Sequence, residues 1–125
     1  MCIRDRFTKA YYNRGILYKE LGELEKGILD FNRTIELNTQ HAEAYNNRGL
    51  LYLSLGEINK AILDHEKSIE INPNNAQAYG NLGIIYQQKG NIFESKKYLK
   101  QAANLFLQQG LTNNYRKTME ILQQF

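Results

Sequence analysis

The phrase AYNNRG at residues 44–49 sets the register of the chain, because variants of it stand at equal intervals on either side. The chain reads AYYNRG at 10–15 and AYGNLG at 78–83. The copies begin 34 residues apart, since 44 − 10 = 34 and 78 − 44 = 34. Self-similarity at one fixed period of this length indicates a repeat architecture. The chain is therefore divided into repeat 1 (8–41), repeat 2 (42–75) and repeat 3 (76–109).

Each repeat is predicted to form two helices. In repeat 2, Tyr45, Tyr52 and Leu55 fall on one helical stripe at three- and four-residue spacing. Gly56 then ends the first helix, because glycine adopts the left-handed conformation at little cost. The second helix is predicted from about residue 58 to residue 71, where the NPNN segment at 72–75 ends it.

Small residues mark the positions where the two helices of a repeat are expected to approach closely. We call positions that correspond at the 34-residue period a slot. The small residues occupy one slot in the first helix and two slots in the second helix of every repeat. The residues are Gly15, Gly27 and Thr34 in repeat 1, Gly49, Ala61 and Ser68 in repeat 2, and Gly83, Ser95 and Ala102 in repeat 3.

This pattern resembles the tetratricopeptide repeat, a helix-turn-helix unit of 34 residues with Tyr, Gly, Ala and Pro at fixed slots. The resemblance covers about residues 8–109. It implies an all-α fold, an α-solenoid in which antiparallel helix pairs form a right-handed superhelix of about seven helices. Gly27 and Ser95 depart from the usual alanine, and Thr39 and Leu107 replace the usual closing proline.

The two ends of the chain are out of register with the repeats. Residues 1–7 are interpreted as a leader, and one alternative is that this leader is not native, in which case earlier repeats would be missing. Residues 110–125 place Tyr115, Met119 and Leu122 on one apolar stripe, with Leu111 and Phe125 at its ends. They are predicted to form a seventh helix, either a cap or the start of a truncated fourth repeat.

Two pairs of opposite charges occupy equivalent slots in repeats 1 and 2. Arg14 and Asp30 in repeat 1 correspond to Arg48 and Asp64 in repeat 2, and repeat 3 replaces both members, with leucine and tyrosine. Joint replacement suggests contact, so we predict an ion pair between the two helices of each of these repeats. The alternative is coincidence between two similar sequences.

The composition offers little support for catalysis or cofactor chemistry. The only cysteine is Cys2 and there are two histidines, His41 in a turn and His65 at a packing slot. Nucleophilic catalysis requires a nucleophile beside a base, and a structural metal requires about four ligands. We therefore expect no enzyme activity, no catalytic residue, no metal and no cofactor.

Charge and hydropathy bear on the partner and the compartment. The net charge is +3, with basic and acidic residues interspersed, so a nucleic-acid partner is not expected. No apolar run approaches the ~18 residues of a membrane span, and no signal peptide is evident. A cytoplasmic location is the resulting expectation.

In tetratricopeptide repeats the first helices line the concave face, where partner peptides bind. Asparagines recur along this face, and an asparagine offers both a donor and an acceptor to a peptide backbone. The asparagines can alternatively bond locally between neighbouring helices. The peptide-binding positions implied by the resemblance are Lys9, Tyr12, Asn13, Ile16, Glu43, Asn46, Asn47, Leu50, Leu53, Gln77, Asn81, Ile84 and Gln87.

The expected function is a protein-interaction module that binds a peptide segment of a partner in this groove. The alternative is a structural role, as a piece of a longer repeat array or as a self-stacking scaffold. Chaperone-binding members of the family hold acidic C-terminal tails with lysine, arginine and asparagine. Here Tyr12, Ile16, Gln77 and Asn81 replace those residues and only Asn47 fits, so acidic chaperone tails are not expected as partners.

Overall fold

The computed structural model describes residues 3–125, and Met1 and Cys2 of the predicted leader lie outside that range. The described residues form seven α-helices and no strand, which confirms the all-α prediction. The helices are α1 (Ile3–Glu20), α2 (Leu24–Leu37), α3 (Ala42–Ser54), α4 (Ile58–Ile71), α5 (Ala76–Gln88), α6 (Ile92–Gln108) and α7 (Thr112–Leu122). Two compact units divide the chain, unit 1 at 1–71 with α1–α4 and unit 2 at 72–125 with α5–α7.

The helix ends follow from the turn residues. Gly56 has a φ of +81° directly after α3, and Gly22, Gly90 and Gly110 adopt similar positive values after α1, α5 and α6. A side chain at such a φ is strained, so glycine lets the chain reverse at these four points. Pro73 lies beyond α4, which ends at Ile71 as predicted.

Within each hairpin, a glycine of the first helix faces a large side chain of the second. A Cβ atom added to Gly15 would lie 2.7 Å from the Phe31 ring, and one added to Gly49 would lie 2.9 Å from the His65 ring. Gly83 and Leu99 give 2.6 Å in unit 2. The missing side chain thus allows close packing of the two helices, as the sequence predicts.

The other small slots are buried as well, and some form hydrogen bonds across the hairpin. The Ser68 hydroxyl donates to the Ala42 carbonyl oxygen at 2.9 Å, and the Ser95 hydroxyl donates to that of Gly83 at 2.8 Å. Serine therefore satisfies its buried hydroxyl by bonding to the facing helix.

The two ends differ in detail from the prediction. Helix α1 begins at Ile3, so the described part of the predicted leader continues the first helix; no proline or glycine interrupts it there. In α7 the most buried residue is Thr118, whereas Leu111 precedes the helix and is exposed, as is Phe125. Among residues 3–125, no helix is both long and apolar enough to cross a membrane.

Candidate peptide-binding site

The predicted ion pairs are present in both repeats of unit 1. Arg14 donates to the two carboxylate oxygens of Asp30 at 2.7 and 2.8 Å. Arg48 donates in the same two-pronged way to Asp64 at 2.8 and 2.7 Å. Both carboxylates are buried between the helices, so the arginine fork satisfies charges that would otherwise be costly to bury.

Tyrosines of the same helix flank each arginine. The guanidinium carbon of Arg14 lies 5.6 and 5.9 Å from the ring centroids of Tyr11 and Tyr18. In repeat 2 the guanidinium carbon of Arg48 lies 5.4 and 5.7 Å from the ring centroids of Tyr45 and Tyr52. These are cation–π distances, and the arrangement holds the guanidinium over the tyrosine faces.

The arginine of repeat 2 is also bonded to the preceding repeat. Arg48 donates to the Asn32 side-chain oxygen of α2 at 2.9 Å. Its side chain is 19% exposed, whereas that of Arg14 is 56% exposed. The hairpin before repeat 2 therefore covers the outer face of its arginine.

Repeat 3 fills the same space without charge. Tyr98 occupies the aspartate slot and stacks on Tyr86, with ring centroids 5.7 Å apart and planes 5° from parallel. Leu82 occupies the arginine slot and is fully buried. An aromatic stack and an aliphatic side chain thus replace the ion pair of the other two repeats.

In unit 1, the predicted peptide-binding positions of α1 and α3 differ widely in exposure. Lys9, Asn13 and Glu43 are exposed. Half-buried positions are Tyr12, Ile16, Asn47, Leu50 and Leu53. The exposed and the half-buried side chains in these two sets together form a mixed polar and apolar surface, which we call the first-helix face.

Asn47 bonds to both polar neighbours that reach it from α1. Its side-chain oxygen accepts a hydrogen bond from Lys19 Nζ at 3.1 Å, and its side-chain nitrogen donates to the Tyr12 hydroxyl at 3.1 Å. The local bonding that the sequence left as an alternative is therefore present at this asparagine. It leaves part of the hydrogen-bonding capacity of the amide unused.

Asn46 was included among the peptide-binding positions, and its burial argues against that role. It is 5% exposed, and its side-chain oxygen lies 2.8 Å from His65 Nδ1. Successive residues on a helix point about 100° apart, and here Asn46 is buried whereas Asn47 is half-buried. Asn46 is a core residue that positions His65.

The environment of His65 is wholly interior. The ring has no exposed surface, and no hydrogen-bond partner reaches its Nε2 in the part of the chain that the structure describes. Burial lowers the pKa of His65 to about 4, so the ring is neutral near pH 7. It acts as a packing residue, like Phe31 and Leu99 in the same slot.

In unit 2, α5 carries the remaining predicted positions. Gln77 is exposed, whereas Asn81, Ile84 and Gln87 are half-buried. These residues share one face of α5 at three- and four-residue spacing. Within residues 3–125 no cluster of three or more His, Cys, Asp or Glu side chains is arranged to hold a metal.

Two features escaped the sequence prediction. One is the bond between Asn46 and His65, which occupy the slots of Tyr12 and Phe31, whose rings lie 5.9 Å apart. The other is the hydrogen bond of Arg48 in repeat 2 to Asn32 in repeat 1. Comparison of slots between repeats predicts contacts inside one repeat, so it did not predict this contact between two repeats.

Comparison with known proteins agrees with the 34-residue repeat and its helix pairs. Family models described as the tetratricopeptide repeat match residues 8–41, 42–75 and 66–97. A search of curated proteins found no match. Among solved structures, the crystal structure of MamA is 38% identical with a TM-score of 0.78, over 82% of this chain and 60% of that chain. This chain therefore spans less than two thirds of the MamA chain.

Two further solved structures share the fold at lower identity. The Arabidopsis OM64 TPR domain has a TM-score of 0.85 and 20% identity, over 97% of this chain and 98% of that chain. The first TPR of Spaghetti (RPAP3), bound to the HSP90 peptide SRMEEVD, has a TM-score of 0.78 and 19% identity, over 94% of both chains. With the repeat period, the helix pairs and the family matches in agreement, this chain belongs to the tetratricopeptide repeat family.

Proposed function

We propose that the chain is a non-catalytic interaction module that holds a peptide segment of a partner protein against the first helices of its repeats. The observation that carries this proposal is the first-helix face. Ile16 and Leu50 each lie one turn after an asparagine, Asn13 and Asn47, so aliphatic and amide groups alternate on it. Such a surface can bury apolar side chains of a peptide and bond to its backbone.

The structural neighbours support a peptide as the ligand class. The Spaghetti domain holds a peptide, SRMEEVD, on the same fold. The present chain lacks the cations at the slots of Tyr12, Gln77 and Asn81 that a C-terminal acidic tail would require. We therefore propose a partner segment other than an acidic chaperone tail.

The remaining features of the proposal follow from composition. A nucleic-acid partner is not proposed, because lysines and arginines alternate with acidic residues. The proposed compartment is the cytoplasm.

A random peptide library displayed on phage tests the function even though the partner is unidentified. Peptides enriched on the native chain should lose about tenfold in affinity on Leu50→Ala, which removes aliphatic contact from the first-helix face. Leu63→Ala is the matched control, because Leu63 is an exposed leucine of α4. Equal affinity of both variants for every enriched peptide would refute the proposed face, and circular dichroism would verify that both variants fold.

A second candidate function is structural, and one difference between repeats favours it. Leu17 of α1 is 53% exposed, whereas Leu51 in the same slot of α3 is 1% exposed. Ala10 is likewise exposed where Ala44 is buried. The side of α1 that carries Leu17 and Ala10 is thus exposed, whereas the same side of α3 is covered by the preceding hairpin. Another hairpin could cover α1 in the same way, in a longer array or in a self-stacking scaffold.

Analytical ultracentrifugation distinguishes the self-stacking form of this candidate. Association that disappears in Leu17→Glu would support stacking through α1. A monomer at high micromolar concentration would contradict self-stacking and leave the peptide-binding proposal in place.

A further inference from the structure

We propose that the groove between α6 and α7 is a binding site for a single-chain amphiphilic anion, an aliphatic chain that ends in a carboxylate. The groove has a volume of about 540 Å³ and lies wholly within unit 2. It shares no residue with the first-helix face, so the inference goes beyond the proposed function. The side chains that matter for the argument are Lys96, Lys100 and Leu107 of α6 and Tyr115, Met119 and Leu122 of α7.

The size and the apolar wall of the groove suit a small organic ligand. Ligand pockets in proteins usually have volumes of about 300–1,000 Å³ and mostly apolar walls with a few polar groups. Here Tyr115, Met119 and Leu122 are half-buried, and Leu107 is 54% exposed. An aliphatic chain that lay in the groove would remove this apolar surface from water.

Charged and apolar groups are separated along the length of the groove. Both lysines lie toward the start of α6, and Leu107 follows Lys96 by eleven residues, about 16 Å along the helix. Lys96 Nζ lies 5.9 Å from the Phe125 ring, so the C-terminal end of α7 is at the lysine end. Tyr115 packs near Phe106 at the other end. A ligand with its charge at one end and an apolar chain behind it matches this order.

The charged groups in the groove are all basic. Among the residues that the structure describes, those that line this groove include no aspartate or glutamate. By contrast, the groove between α1 and α2 contains Asp30 and Glu36 beside its cations. Lys96 and Lys100 are four residues apart on one helix, so their like charges repel. A ligand carboxylate near both would relieve that repulsion and accept charge-assisted hydrogen bonds.

The net charge of the whole chain is concentrated on the same two helices. Residues 92–122 contain five basic and two acidic side chains, which accounts for the full net charge of +3. The rest of the chain is balanced, because 16 − 5 = 11 basic and 13 − 2 = 11 acidic residues remain. At low ionic strength an anion is therefore attracted to α6 and α7 over the rest of the surface.

Met119 explains why the occupant is narrower than another helix. Tyr115 is the fourth residue of α7, as Tyr79 is of α5, which places Met119 where α5 has Gly83. A Cβ on Gly83 would already lie 2.6 Å from Leu99 of the following helix. A methionine at this position keeps a helix from packing as closely, whereas its flexible thioether side chain adapts to an aliphatic chain.

Met119 also supplies the measurement, because the only other methionine is Met1. In nuclear magnetic resonance spectra of the chain labelled at its methionine methyl groups, decanoate below its micelle concentration should shift the Met119 signal saturably. Decyltrimethylammonium has the same chain with the opposite charge and should bind at least about tenfold more weakly, the usual worth of one charge-assisted hydrogen bond. Acetate, which lacks the chain, should give no shift.

Matched variants separate the groove from general charge. Lys96→Gln with Lys100→Gln should abolish the preference for decanoate over decyltrimethylammonium. Lys60→Gln with Lys67→Gln removes the same charge from α4 and should keep the preference. Circular dichroism would verify that both double variants fold. A preference that survives the change of Lys96 and Lys100 would overturn the inference.

The remaining outcomes distinguish a free ligand from a bilayer and from salt. Binding to phosphatidylglycerol vesicles without a response to monomeric decanoate would overturn the assignment to a free amphiphile. Equal shifts from acetate and decanoate would show an adventitious ion only. No response of Met119 to decanoate would refute the inference and leave the proposed function in place, because Leu50→Ala tests that function on a separate face.

Discussion

At the scale of single residues, the pairing of Arg48 with Asp64 shows how one slot depends on another. Removing the arginine alone leaves a buried carboxylate without its counter-ion, which costs about 3–5 kcal/mol. We therefore expect Arg48→Leu to lower the free energy of unfolding by about 3 kcal/mol. The joint change Arg48→Leu with Asp64→Tyr copies the residues of repeat 3 and should recover most of that loss.

Urea denaturation of the two single variants and the double variant measures this coupling as a double-mutant cycle. The control is the same cycle at Arg14 and Asp30, where the more exposed arginine should give a smaller coupling. Additive effects in repeat 2 would show that the ion pair and the aromatic replacement are not equivalent solutions.

His65 predicts a pH dependence of stability. Its pKa is about 4 in the folded chain against an ordinary value of 6.5, so the unfolded chain binds a proton first as the pH falls. The contribution of neutral His65 to the free energy of unfolding is fully present above pH 6.5. It declines by about 1.4 kcal/mol per pH unit as the pH falls towards 4. Urea denaturation between pH 7.5 and 4 should reveal the decline.

The double change Asn46→Tyr with His65→Phe isolates this residue from the carboxylates. It copies the Tyr12 and Phe31 pair of repeat 1, whose rings lie 5.9 Å apart. The difference in stability between native chain and variant should change with pH in the stated window. Parallel pH profiles would show that His65 does not titrate as its burial predicts.

The same pair of slots shows where residue-level prediction fell short. A period of 34 residues identifies equivalent slots, and it predicted the ion pairs because both members change together. It gave Asn46 and Asn47 the same surface role, although the structure buries Asn46 against His65. Which of two successive asparagines is buried depends on the side chains that pack against them from the facing helix. A single sequence does not show that packing.

At the scale of the helices, two glycines test close packing against helix propensity. A Cβ on Gly49 would lie 2.9 Å from the His65 ring, whereas a Cβ on Gly80 would meet its nearest neighbour, Ala102, at 3.9 Å. Gly49→Ala should therefore destabilise the chain by about 1–3 kcal/mol through overpacking. Gly80→Ala should stabilise it by up to about 1 kcal/mol, because alanine favours the helix.

Thermal and urea unfolding of the two variants would measure these opposite signs. The same mutation is made in equivalent first helices, so propensity cancels in the comparison. Stabilisation by Gly49→Ala would mean that the His65 ring moves away at little cost.

Helix ends were predictable because they depend on local residues. Gly56 follows α3 with a positive φ, and α4 ends at Ile71, both as predicted. The start of α1 was not predicted, because the register of the repeats suggested a leader where the local sequence simply permits helix. Register is a long-range property, and residues 3–7 lie outside the three repeats that define it.

At the scale of the whole molecule, the family followed from the period and the small slots. The contacts between repeats did not follow from them, and the bonds of Asn47 with Lys19 and Tyr12 are an example. The chain also spans 60% of the MamA chain that it resembles, so activities of whole proteins of this kind remain proposals for it.

The terminal helix provides a test of how stability is distributed along the chain. In repeat proteins, stability is approximately a sum of repeat and nearest-neighbour terms, so a loss at one end should stay local. Deleting residues 110–125 removes Tyr115, which packs on the core cluster of Ala76, Ala102 and Phe106. We expect unit 2 to lose about 3 kcal/mol from the half-buried side chains of α7. Hydrogen exchange should then quicken in α6, with α2 as the internal reference and a deletion of 123–125 as the control. Unchanged protection of α6 would show that α7 does not act as a cap.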